Sequence, residues 1–122
     1  MMPEKVKPIA TDLDSILTAL DIPEHLLGRK YLHYSIILAL TDPKLFRNQA
    51  EAYRFVAAHF QRSDSAIQSG IQRATACFWE SNNLEPMTAF YRHNWCVHCT
   101  IPTDFEFIKY MASYLRTKHN YS

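Results

Sequence analysis

The sequence predicts an all-α fold, and three observations carry that prediction. Glycine occurs only twice in 122 residues, at Gly28 and Gly70, which leaves little material for hairpins or phosphate-cradling loops. Apolar residues recur at a helical period in segment after segment. The breaks between those segments carry helix-starting and helix-stopping residues: Asp21 before Ile22-Pro23, Thr41-Asp42-Pro43, Ser63, and Thr103. At this length, with 48% hydrophobic and 20% charged residues, one globular domain can bury a single core without disulfides or metal.

Residues 1–10 hold two prolines and mixed charge and are expected to form a flexible arm. The domain proper, 11–122, is expected to begin with a helix near Thr11, with Leu13, Ile16, Leu17 and Leu20 on its apolar stripe and Thr11 or Asp12 as its cap. Pro23 opens a short turn, and Gly28 is expected to end it in a left-handed conformation. A second helix then runs from about Arg29 to Leu40. Tyr31, Leu32, Tyr34, Ile36, Ile37, Leu38 and Leu40 leave that helix little polar face, so it should be the central, buried one.

A third helix carries Ala52, Tyr53, Val56, Ala57 and Phe60 at helical spacing. After Gln61-Arg62-Ser63, Ser63 caps a fourth helix whose inward stripe is Ile67, Ile71, Ala74 and Phe78, with Gly70 allowing close approach of a neighbour. Helix, short polar turn, helix is the outline of a helix-turn-helix. The last helix opens with Thr103-Asp104-Phe105-Glu106, a capping box, and buries Phe105, Ile108, Met111, Ala112 and Leu115.

Charge and cysteine usage narrow the function classes. A net charge of +1 gives no global field for nucleic acid, so any such contact must come from a local patch. The three cysteines form no secretory framework and the N-terminus has no apolar signal core, which points to the cytoplasm. The longest apolar run, Ser35 to Leu40, is far short of the roughly 20 residues a membrane span requires, so no membrane partner is expected. His93, Cys96, His98 and Cys99 are zinc-ligand types, but four ligands packed so closely would strain a tetrahedron, and the segment also reads as a packed loop with ordinary thiols. A Cys–His nucleophile there lacks an accompanying glycine-rich oxyanion or phosphate loop, so no enzyme, cofactor or small-molecule substrate is expected. Cys77 reads as a small buried hydrophobe. Tyr31, Tyr34 and Tyr53, at helical spacing among leucines, read as core rather than as a base-stacking platform. The basic tail 116–122 could touch a DNA backbone, form a dimer edge or fray.

Taken together, DLDSILTALDIPEHLLGRKYLHYSIILAL, YRFVAAHFQRSDSAIQSGIQRATACFW and PTDFEFIKYMASYLRTKH resemble the DNA-binding effector domain of the sporulation-initiation response regulators. The anchors are Ile22-Pro23 with His25 and Gly28, Tyr31-Leu32, Tyr53, Val56-Ala57 and Phe60, Ile67, Ile71 and Ala74, Trp79, Pro102-Thr103, Glu106-Phe107-Ile108 and Leu115-Arg116, with one residue's change of length between Asp42 and Tyr53. The resemblance implies a compact bundle of six helices around a trihelical core, as in response-regulator effectors. It also implies double-stranded DNA as partner, a homodimer or tandem dimer on DNA, and a phosphoacceptor receiver domain ahead of the effector. Only the ten-residue arm precedes it here, so no receiver is expected.

The outward residues of the fourth helix, with the flanking turn, form the candidate DNA-binding set: Arg54, Arg62, Ser63, Ser65, Gln68, Ser69, Gln72 and Arg73. Against the family pattern, Ala66, Ser69 and Gln72 stand where arginines occur, Gln68 replaces a glutamate and Arg73 a histidine. Losing those cations removes phosphate neutralisation and guanine readout together, each bidentate base contact being worth roughly 1–3 kcal/mol of discrimination. Gln68 and Gln72 lie one turn apart and can address adenine, while Arg73, Arg62, Arg54 and Arg47 can hold phosphates. The expected function is a DNA-binding transcription regulator of altered or weakened specificity. The same nearly neutral face also suits a protein-interaction module partnering a full-length regulator.

Overall fold

A computed structural model describes residues 4–79 and 103–121. Those residues form α1 (Lys7–Ala19), α2 (Leu27–Thr41), a 3-10 turn (Pro43–Arg47), α3 (Gln49–Phe60), α4 (Asp64–Trp79) and α5 (Asp104–Lys118). Five α-helices and the 3-10 turn therefore stand among the described residues, against the six helices the resemblance implies. No strand occurs among them.

α2 is the hub. It packs chiefly against α4 and α5, and also against α1, α3 and the 3-10 turn. An amphipathic stripe would serve one neighbour; α2 instead buries Tyr31, Leu32, Ile36, Ile37, Ala39 and Leu40 around most of its circumference. The buried Ser35 hydroxyl is satisfied within the helix by donating to Tyr31 O at 2.7 Å.

The glycines act differently from each other and, in one case, from expectation. Gly28 does not end the preceding turn in a left-handed conformation; it lies inside α2 with ordinary helical φ. Its role is close approach: a Cβ there would sit 1.8 Å from Gly70 O, so α2 and α4 meet backbone to backbone. A Cβ on Gly70 would fall 2.7 Å from the Tyr31 ring, which supports the close approach expected at that position. The left-handed positions belong instead to Asp21 (φ 63°), Gln61 (φ 55°) and Asn120 (φ 52°).

The first helix begins at Lys7 rather than near Thr11, and the expected arm loses its last residues to the fold. Val6 and Ile9 are fully buried and extend the stripe of Leu13 and Leu17 backwards by one turn. Pro8 is compatible with that start because the first turn of a helix has no use for its amide. Thr11 and Asp12 are thus interior residues, not caps: Thr11 Oγ1 donates back to Lys7 O at 3.1 Å. The fixed point between α1 and α2 is Arg29, only 4% exposed. Its guanidinium donates to Ile22 O at 2.6 Å, Asp14 O at 2.9 Å, Asp14 Oδ1 at 2.8 Å and Thr18 Oγ1 at 2.8 Å.

α5 starts with the expected capping box: Thr103 Oγ1 accepts from Glu106 N at 3.1 Å, and Glu106 Oε1 accepts from Thr103 N at 2.9 Å. Ile108, Met111, Ala112 and Leu115 are buried as expected, but Phe107 takes the fully buried place while Phe105 stays half-exposed, stacked on Phe46 at 5.7 Å. The tail is not frayed. His119 Nε2 and Lys118 Nζ each donate to Asp12 Oδ2 at 2.8 Å, and Arg116 donates to Leu40 O at the end of α2.

Candidate nucleic-acid interface

α3, a tight turn and α4 compose the helix-turn-helix. Asn48 starts α3 by accepting from Glu51 N at 3.0 Å. The helix ends where Gln61 turns left-handed: Arg62 N donates to Ala57 O at 3.0 Å and Gln61 N to Ala58 O at 3.3 Å. This is a Schellman closure with glutamine in the place usually held by glycine. Ser63 then caps α4, its Oγ accepting from Ala66 N at 3.1 Å.

α4 divides into two faces. Ile67, Ile71, Ala74 and Phe78 are fully buried, and the buried Thr75 hydroxyl bonds Asp104 Oδ1 at 2.8 Å, tying α4 to the start of α5. Burial pushes the Asp104 carboxyl above its ordinary value, and the bond from Thr75 opposes that shift. On the other face Ser65, Gln68, Ser69, Gln72 and Arg73 are all exposed, while Ala66 and Ala76 are half-buried at its margins. Arg62 and Ser63 are exposed in the turn, Arg54 on α3, and Arg47 just ahead of it. Every residue of the DNA-binding set therefore reaches solvent from the helix-turn-helix, and none of its guanidinium groups is in an ion pair or hydrogen bond among the described residues. Phe55, beside Arg54 in the chain, is one of two large hydrophobics among the described residues with about half their surface exposed.

Two residues of this region escape sequence reasoning. Gln49 and Asp64, the first residues of α3 and α4, join Ala50, Tyr53 and Gln68 around a notch of about 330 Å³. Helical periodicity within one segment carries no signal for a notch between two. A larger groove, about 1170 Å³, lies along α1, α2, the end of α3 and the tail; it holds charges of both signs, Asp14, Glu24 and Lys30 among them, and contains no α4 residue. Tyr31 and Tyr53 are buried and Tyr34 half-buried; Tyr34 stacks on His59 at 4.0 Å. Cys77 is half-buried and unpaired. His93, Cys96, His98 and Cys99 lie outside the described residues; among those described, no three His, Cys, Asp or Glu side chains gather as metal ligands. No helix among them is long and apolar enough to cross a membrane.

A helical regulatory domain that presents the second helix of a helix-turn-helix to solvent is the class these features define. Residues 13–115 match the family described as sporulation initiation factor Spo0A C terminal, and the chain belongs to that family of helical DNA-binding regulatory domains rather than to an enzyme family.

Proposed function

We propose that this domain regulates transcription by binding double-stranded DNA through the outward face of α4, with a specificity different from that of the arginine-rich surface its family resemblance implies. The observation that carries the reading is the set of unpaired cations, Arg54, Arg62 and Arg73, around an exposed polar face on a helix-turn-helix of a DNA-binding family. Such cations neutralise phosphates and fix register, while amides in the groove read bases. With only these few cations, affinity is modest. Tandem occupancy by two copies, which the resemblance implies, would be read from binding stoichiometry.

The test is selection from a random duplex library with the purified chain, followed by binding titrations across salt. The expected result is an enriched motif and a slope of log K against log salt of about −3, near −0.9 for each phosphate contact. Binding that ignores salt, or none at low ionic strength, overturns the reading.

A further inference from the structure

Recognition helices contact base edges with their N-terminal half. In α4 that half carries Asp64, Ser65, Gln68 and Ser69 on its exposed side, Gln72 follows one turn after Gln68, and the first cation of the helix is Arg73. Within α4 the only formal charge ahead of Arg73 is the Asp64 carboxylate. In the major groove a guanine edge presents acceptors alone, at N7 and O6, and is matched by Arg or Lys. Adenine and cytosine present an exocyclic amino donor, matched by Gln, Asn, Asp or Glu. The chemistry of this half-helix suits the second kind of edge.

The notch supplies an independent observation. It lies where the first turns of α3 and α4 meet, with Gln49, Asp64 and Gln68 among its lining residues. Tyr53, 4% exposed, also lines it, and the buried Tyr53 hydroxyl has no hydrogen-bond partner among the described residues. A buried hydroxyl left unpaired is unfavourable, so the site gains from an incoming polar group or bridging water. Asp64 on the rim disfavours a phosphate there and favours a donor.

The geometry points to Gln49, Asp64 and Gln68 as one base-reading unit that selects an exocyclic amino group, adenine N6 or cytosine N4, with the unpaired Tyr53 hydroxyl free to support it from behind through a bridging water. This deepens the DNA-binding reading above and rests on it. It gives Gln49, on the helix that ordinarily crosses the backbone, a part in base selection.

The experiment uses the full chain and the motif enriched from the random library. Replacing adenine by purine, or cytosine by 2-pyrimidinone, deletes the amino group; at the position whose preference Gln68→Ala also erases, affinity falls about tenfold. Gln49→Ala relaxes the same position, and the double variant with Gln68→Ala loses no more than the larger single loss: the two effects do not add. Asp64→Asn tightens binding to unrelated duplexes by removing a repelling charge while lowering discrimination. Tyr53→Phe melts no lower than the parent yet binds the motif several-fold more weakly.

An enriched motif whose preferences survive Gln49→Ala and Asp64→Asn, or analogues that bind as well as the natural bases, overturns the unit and leaves DNA binding standing. Absence of any duplex binding at low salt overturns both.

Discussion

Two sides of the molecule use the same kinds of side chain in opposite ways. Along α1, α2 and the tail, four cations are held, Arg29 by four acceptors, Arg116 by Leu40 O, and Lys118 and His119 by Asp12, while Lys7 and Lys30 stand exposed. Around α3 and α4, Arg54, Arg62 and Arg73 stand in solvent with no partner among the described residues. A cation that closes a helix junction is committed to the fold, whereas one left free at no structural benefit is available to a phosphate. Substitutions at the held cations should therefore report on stability, and those at Arg54, Arg62 and Arg73, on the face proposed to bind DNA, on binding.

The largest effect should come from the held side. Arg29→Ala leaves the buried Ile22 carbonyl without its side-chain donor and removes the charge-assisted bond to Asp14, whose side chain is 60% exposed, so unfolding free energy should drop by about 2–3 kcal/mol, the range for losing charge-assisted hydrogen bonds and orphaning a buried acceptor. Urea denaturation at neutral pH measures it. A loss below about 1 kcal/mol would place Arg29 with the free cations and dissolve the distinction.

The next effect sits at the seam between the two sides. Gly28→Ala drives a methyl into Gly70 O, and neither group is a flexible side-chain end. The helices must separate, with an overpacking loss of about 1–3 kcal/mol or more. Since α4 carries the proposed contact face and is one of the two helices that must separate, Gly28→Ala should weaken DNA binding as well as stability, the one substitution of the set that registers on both scales.

On the free side, Arg73→Ala should leave the urea midpoint within about 0.5 kcal/mol of the parent. It should reduce the salt slope of DNA binding by about 0.9, the signature of one lost phosphate contact. An unchanged slope would mean that Arg73 is merely solvated.

How much of this was legible in the sequence follows from which interactions are local. The stripe of α4, most of the stripes of α3 and α5, the Ser63 cap and the Thr103–Glu106 box depend on residues within a turn or two of each other and stand where periodicity puts them; the exceptions are Phe60, half-buried, and Phe105, whose buried place Phe107 takes. Arg29 depends on groups 7 to 15 positions away, so its residue type alone argued for exposure. Gly28 was legible as special but not in which way, because a glycine at a helix end and a glycine at a helix crossing look alike in one dimension. At the candidate site, the exposed face of α4 was legible from the stripe opposite it. Gln49 and Asp64 were not, since their meeting depends on how α3 is set against α4.

The two sides also differ in the sign of their response to acid. Desolvation pushes Asp12 up, but the hydrogen bonds and charges of Lys118 and His119 outweigh it and hold the carboxyl below its ordinary 3.8. Its contribution is therefore present above that value and is lost as pH falls through the lowered one. Asp104 is raised by burial, so the folded state binds its proton more tightly and stability is gained as pH falls from the raised value toward 3.8. Urea midpoints from about pH 7 to about pH 3 should show Asp12→Asn removing the deeper part of the acid loss and Asp104→Asn steepening the loss by removing an opposing gain. Each difference should be about 1 kcal/mol or less, as for partly exposed pairs.

The smallest effect tests the hinge of the helix-turn-helix itself. A left-handed residue with a Cβ is disfavoured by about 1–2 kcal/mol, a penalty glycine escapes, while glycine adds roughly 0.5–1 kcal/mol of unfolded-state entropy. Gln61→Gly should therefore stabilise the domain by about 0.5–1 kcal/mol and leave DNA binding unchanged, because the Schellman bonds of Arg62 N and Gln61 N are backbone bonds that glycine keeps. Asp21, at a similar φ of 63° between α1 and α2, is the control on the held side. If Gln61→Gly stabilises the fold but weakens binding, the turn owes its setting to the glutamine side chain, and the contact surface extends from α4 into the turn.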